Sequence, residues 1–187
     1  MDSVRFDKEK HVYMIDGKKL PSVTEIINSV IQRDFYADEF QMHKGSMIHL
    51  ALKLYLQGKL DENSIDERIK CRVEAGKKAI KELELRPPYV IEKHLFHKLY
   101  QYAGTPDLLT EDGILIDWKS SHNKSVIGQL GGYYLLLKEN KFYVYRLYEI
   151  VLDDNGNYVV NAYQEKQCKR IFLNCLSLFN FLEKGDE

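Results

Sequence analysis

Asp107, Asp117 and Lys119 are the residues of this sequence best placed to do chemistry. Asp117 and Lys119 close the run Ile114-Leu115-Ile116-Asp117-Trp118-Lys119. Residues two apart on a β-strand point to the same face. Ile114-Leu115-Ile116 is apolar at every position, which predicts a strand buried on both sides. The stretch Tyr102–Leu109 reads as its hairpin partner, turning at Glu111-Asp112-Gly113. Pairing back across that turn brings Asp107 beside Asp117. Two carboxylates at a sheet end are oxygen donors suited to a hard divalent cation such as Mg²⁺ or Mn²⁺. A structural ion pair produces the same spacing, so the hairpin alone leaves both readings open.

Other elements must position these groups. Val4-Arg5-Phe6 and His11–Ile15 read as an N-terminal hairpin, with a further turn at Asp16-Gly17. Ser22-Val23-Thr24-Glu25 has the form of a capping box and predicts a helix to about Val30. Lys44–Gln57 has the spacing of an amphipathic helix, with Gly45 and His49 on one face. Asp61–Leu85 predicts a second helix. Its Lys70, Arg72, Lys77, Lys78 and Lys81 fit a solvated face better than a DNA path. Tyr89–Lys98 reads as a strand with Glu92 and His94 on the same side. His94 and His97 have no supporting motif and read as cross-strand partners or surface groups.

Ser125–Glu139 predicts a helix carrying Gln129 and Tyr133 one turn apart. Its Gly131-Gly132 pair costs about 1 kcal/mol per glycine relative to alanine. Close packing of this helix on the sheet would account for that cost. Lys141–Leu152 and Tyr158–Tyr163 form the strongest hairpin signal, around Asp154-Asn155-Gly156. Tyr143, Tyr145 and Tyr148 read as half-buried sheet residues in preference to a base-stacking platform. Gln164–Glu183 predicts a terminal helix with Ile171, Cys175, Leu178, Phe179 and Leu182 as the buried stripe.

A chain of 187 residues, 44% hydrophobic, is expected to fold as a single domain over 1–187. No run of 18 or more apolar residues predicts a membrane span, and the first residues have no apolar signal core. The expected location is therefore cytoplasmic. The three cysteines, Cys71, Cys168 and Cys175, are widely spaced and fit neither a disulfide framework nor a zinc site. The net charge of −1 argues mildly against tight duplex binding, although a local basic rim is compatible with it.

Four short motifs stand in order. They are Gly45-Ser46-Met47-Ile48-His49, Gly104-Thr105-Pro106-Asp107, Asp117-Trp118-Lys119 and Gln129-Leu130-Gly131-Gly132-Tyr133. Over about residues 10–135 the sequence resembles the PD-(D/E)XK nuclease superfamily. Within it, the chain resembles the RecB-like exonuclease branch, with its G-x-x-x-H, G-T/I-x-D, D-x-K and Q-x-x-x-Y series. The resemblance implies an α/β (mixed α+β) fold, with a restriction-endonuclease-like central mixed sheet flanked by helices. It implies a site for one or two Mg²⁺ or Mn²⁺ ions held by His49, Asp107, Asp117 and the backbone carbonyl of Trp118. Lys119 would orient water or stabilise charge, and Gln129 and Tyr133 would position the site and the nucleic acid. Glu92 is a candidate third carboxylate. Many relatives carry four cysteines for an iron–sulfur cluster; this chain lacks that set, so no cluster is expected. The expected activity is a metal-dependent DNA exonuclease of phage type, acting on single strands or duplex ends. The alternatives are a catalytically silent nucleic-acid- or protein-binding module on the same fold, or an endonuclease.

Overall fold

Three apolar residues in a row, Ile114-Leu115-Ile116, lie at the centre of the molecule. The computed structural model describes residues 5–7, 12–31 and 39–184. In chain order it begins with β1 (Arg5–Asp7), β2 (Val12–Ile15), β3 (Lys18–Leu20), α1 (Val23–Val30), α2 (Glu39–Leu56) and α3 (Glu67–Glu82). There follow β4 (Val90–Ile91), β5 (Leu95–His97), β6 (Tyr102–Gly104), β7 (Leu108–Leu109) and β8 (Ile114–Lys119). The chain ends with α4 (Val126–Glu139), β9 (Arg146–Leu152), β10 (Tyr158–Tyr163) and α5 (Glu165–Lys184).

The central sheet has the order β10-β9-β8-β7-β4. Only the β8–β9 pair in it is parallel. A parallel neighbour cannot be reached by a tight turn, and α4 supplies the crossover. Alternation along β8 then divides the core. Leu115 packs with Ile26, Leu130, Leu136 and Phe172, on the side of α1, α4 and α5. Ile116 and Trp118 pack with Ile48, Leu52, Val73 and Ile80, on the side of α2 and α3. The result is the expected mixed central sheet flanked by helices. The N-terminal strands form their own β1-β2-β3 sheet, and β9–β10 with α5 forms the C-terminal hairpin and helix. Val4 and His11, expected in the N-terminal hairpin, lie outside the described residues.

Two expected strands are broken, and the breaks depend on one another. Tyr102–Leu109 is not continuous: β6 pairs with β5, and β7 pairs with β8. Pro106 has no N–H to give a ladder, so the chain leaves the sheet at Thr105-Pro106-Asp107. Tyr89–Lys98 breaks at Glu92, whose backbone is left-handed at φ 43°. The Glu92 N–H is taken up by the Asp107 carbonyl at 3.1 Å, so each break completes the other.

Several boundaries also differ from expectation. The helix expected from Lys44 begins at Glu39, while 32–38 lie outside the described residues. The helix expected over Asp61–Leu85 splits. Asp61 caps a 3₁₀ turn at Glu62–Ser64, and Asp66 caps α3 through Arg68 N–H at 2.9 Å. Lys70 pairs with Glu67 in solvent as expected, but Arg72, on Asp154, and Lys77, on Glu62 and Glu74, have largely buried side chains, so this face is only partly solvated. The strand expected from Lys141 starts only at Arg146.

The Gly131-Gly132 pair serves helix-to-helix packing, not helix-to-sheet packing. A Cβ at Gly131 would run into the Cys168 carbonyl of α5, and one at Gly132 would meet Phe172 and Val23 within 3.0 Å. This contact sets the rotation of α5. Its buried stripe is Cys168, Phe172, Cys175, Leu176 and Phe179, whereas Leu178 and Leu182 are about half exposed.

Candidate active site

The polar end of β8 is where the functional candidates meet. Leu108 pairs with Ile116, so one further step of that register sets Asp107 across from Asp117. Asp107 Oδ2 accepts the Trp118 N–H at 2.9 Å, which ties the broken strand to β8. Asp117 is almost fully buried, and its Oδ2 lies 2.5 Å from Lys119 Nζ. That oxygen has no well-angled hydrogen bond despite the proximity of the ammonium. The alternation of β8 puts Asp117 and Lys119 on one face, as their spacing requires.

α2 brings the imidazole. Gly45, His49 and Lys53 recur every four residues and share one side of this helix. His49 Nε2 is 3.1 Å from the Trp118 carbonyl oxygen, and Nδ1 is 3.4 Å from Asp107 Oδ1. A Cβ at Gly45 would meet nothing within 4 Å, so this turn of α2 borders open space.

The charges shift one another. Burial pushes the Asp117 carboxyl up; Lys119 opposes this and Asp107 adds to it, leaving Asp117 at about 6. Burial also works against ionisation of Asp107. There His49, Lys119 and the Trp118 N–H outweigh it and hold the carboxyl below its ordinary value. Burial disfavours charge on His49, but Asp107 outweighs it and the imidazole pKa is raised. Lys119 is likewise raised: burial would lower it, and Asp117 and Asp107 prevail. Lys119 is therefore an ammonium at neutral pH.

A cleft of about 660 Å³ opens onto this cluster. Gln129 and Tyr133, one turn apart on α4, both face it. Gln129 is buried and its Oε1 has no hydrogen-bond partner. Burial and the two aspartates push the Tyr133 hydroxyl well above its ordinary value, so it stays protonated; it bonds to Thr24 at the start of α1. Ser22, by contrast, is a cap: its Oγ accepts Glu25 N–H at 3.0 Å. Glu92 lines the same cleft, with its N–H on the Asp107 carbonyl at 3.1 Å and its carboxylate bound to Lys53 at 2.6 Å.

Sequence reasoning missed three groups. Lys53 could have been found from its place one turn beyond His49. His94 lines the cleft, with Nδ1 2.7 Å from Thr105 Oγ1, which also bonds Tyr13. No local signal joins those three positions. Glu149 is fully buried on β9, beside Asp117 in the ladder. Its Oε2 accepts from Asn161 and Tyr163 at 2.9 Å and lies 2.8 Å from His122 Nδ1.

The donor set suits a hard divalent cation: two carboxylates, Asp117 buried and Asp107 half-buried, with a main-chain carbonyl and an imidazole around Trp118. Among the described residues, however, no three His, Cys, Asp or Glu side chains stand in a ready-made metal cage. The donors are engaged with one another and with Lys119. The Asp117 oxygen that lacks a well-angled bond is the atom most open to a cation. The residues fit the group in kind, and His49, Asp107, Asp117 and the Trp118 carbonyl are those that would hold it.

No family model matches the sequence, and a search of curated proteins found no match. Solved structures do match. LHK-Exo, an alkaline exonuclease from Laribacter hongkongensis, in complex with dAMP has a TM-score of 0.52 at 14% identity, covering 89% of each chain. The "Putative exonuclease" of Eubacterium rectale has a TM-score of 0.53 at 10% identity, covering 92% of this chain and 79% of its own. At these identities the likeness is one of fold. This chain shares the architecture of these exonuclease structures. Among the described residues no helix is long and apolar enough to cross a membrane.

Proposed function

We propose that this chain is a metal-dependent deoxyribonuclease of the RecB-like PD-(D/E)XK type, removing nucleotides from single-stranded or end-containing DNA. One observation carries the reading: at the end of β8, Asp107 accepts the Trp118 N–H, Lys119 pairs with Asp117, and His49 lies against Asp107 and the Trp118 carbonyl. The fold shared with exonuclease structures supports it.

The reaction is attack of water on an anionic phosphodiester. Asp107, Asp117, His49 and the Trp118 carbonyl would hold a Mg²⁺ or Mn²⁺ ion, which when bound would supply neutralisation of phosphate charge and make water more acidic. The other work falls to the chain's own residues. Lys119 places a fixed ammonium where negative charge grows on the phosphoryl oxygens. Burial works against that charge, and Asp117 and Asp107 outweigh it and keep the ammonium protonated. The Tyr133 hydroxyl remains a hydrogen-bond donor at any physiological pH, and with Gln129 it holds the substrate phosphate in the cleft. Glu149 braces β9 behind Asp117. Glu92, already paired with Lys53, orders the cleft wall.

Digestion of linear and covalently closed circular DNA in Mn²⁺ tests whether attack needs a strand end. Loss of linear strands with circles intact supports the exonuclease. Nicking of circles makes it an endonuclease, and binding without any cleavage makes it a silent module.

A further inference from the structure

The segment Phe142–Arg146 leads into β9 at the end of β8 remote from the cleft. Val144 is buried, while Tyr143 and Tyr145 on either side of it are 62% and 61% exposed. They are not the half-buried sheet residues expected from sequence. Large rings left in water forgo the roughly 25 cal/mol per Å² that burial would return. They are nonetheless held in a defined arrangement. The two ring planes lie within 7° of parallel, with centroids 6.5 Å apart.

Three contacts fix that arrangement. The Tyr143 ring lies against Gly113, where a Cβ would stand 2.7 Å from Cδ1. Gly113 has φ 84°, so it suits glycine on backbone grounds as well. Its carbonyl accepts the Tyr145 N–H at 2.7 Å and the Arg146 N–H at 3.2 Å. The Arg146 guanidinium stands 5.1 Å from the centre of the Tyr145 ring and donates to the Tyr148 hydroxyl at 3.3 Å.

We propose that Tyr143 and Tyr145 form a stacking platform for unpaired bases of a nucleic-acid strand, with Arg146 beside it for the strand's phosphates. The choice of a nucleic acid as occupant rests on the nuclease reading. Pre-set, parallel, largely exposed rings, one of them carrying a guanidinium over its face, match a chain of flat rings joined by anions. Bases inside a duplex have their faces covered, so the platform selects unpaired strands. Along β8, Gly113 beneath the platform and Asp117 in the cleft are four residues apart at about 3.3 Å each, or about 13 Å. A strand held at both places is anchored away from the bond being cut.

The test is fluorescence anisotropy with a dye-labelled 20-nucleotide single strand in EDTA. Tyr143→Ala and Tyr145→Ala should each weaken binding about tenfold. Tyr143→Phe and Tyr145→Phe, which keep the ring, should bind as wild type does. An abasic strand of equal length should bind wild type as weakly as the native strand binds the alanine variants. Alanine variants within twofold of wild type, an abasic strand bound as tightly as the native one, or no binding by wild type would each overturn the platform. Wild-type digestion of the same strand in Mn²⁺ reports separately on the nuclease. Cleavage with unaltered tyrosine-variant affinity removes the platform and keeps the nuclease. Ring-dependent binding without cleavage does the reverse.

Discussion

Replacing Asp117 with Asn should stabilise the metal-free protein above pH 6 while abolishing its activity. The Asp117 carboxyl is almost wholly buried and titrates at about 6 against an ordinary 3.8. An acid with a raised folded-state pKa holds its proton longer when folded than when unfolded. Its contribution is therefore most favourable below pH 4, declines as pH rises through the interval from 3.8 to about 6, and is constant above it. A displacement of about two pKa units at 1.36 kcal/mol each corresponds to about 3 kcal/mol. Asn is isosteric and never ionises, so it escapes that cost, and Asp107 remains to face Lys119. In a chain of this size the gain amounts to about 6–12 °C in Tm. Thermal unfolding in EDTA at pH 4 and pH 8, wild type beside D117N, makes the measurement. Asp107 and His49 titrate against Asp117, so the difference between the proteins includes their response to its charge. That difference should be near zero at pH 4 and full at pH 8. A variant less stable than wild type at pH 8, or a difference independent of pH, would refute the assignment of a strained, desolvated carboxylate at this position.

Three further outcomes follow from the packing. Glu149→Ala should cost about 3–5 kcal/mol by chemical denaturation, since it strips a buried acceptor from Asn161, Tyr163 and His122. Gly131→Ala should cost about 1–3 kcal/mol, because its methyl meets the Cys168 backbone and not a side chain able to turn aside; an unchanged Tm would contradict the α4–α5 contact. Tyr133→Phe should cost about 1 kcal/mol for the lost Thr24 bond and should weaken DNA binding in EDTA, which Thr24→Val would not match if the hydroxyl also serves the phosphate.

The parts of the molecule legible in the sequence are those set by local pattern. The apolar triplet of β8 fixed its burial, and the Asp-Asn-Gly turn fixed the β9–β10 hairpin. The spacing of Asp117 and Lys119 placed them on one face, and Ser22-x-x-Glu25 is a complete capping box. What was not legible depends on contacts between distant segments. Glu92 leaves its strand because the Asp107 carbonyl is there to receive its N–H, and Asp107 is displaced by Pro106. Neither break has meaning without the other. The face of α5 was misjudged because its rotation is set by Gly131 on another helix. His94 went unrecognised because Thr105, its partner, lies across a strand break, and Tyr13 belongs to a separate sheet. Exposure of Tyr143 and Tyr145 follows from the start of β9 at Arg146, which no periodicity announces.

The central claim is that the cluster around Trp118 hydrolyses phosphodiesters with the help of a cation and Lys119. It is tested most directly on an end-labelled single strand, with wild type and Lys119→Ala compared in Mn²⁺ and in EDTA. The account predicts release of label by wild type in Mn²⁺ only, and a rate at least about 100-fold lower for Lys119→Ala. Equal rates for the two proteins, or cleavage that persists in EDTA, would contradict it.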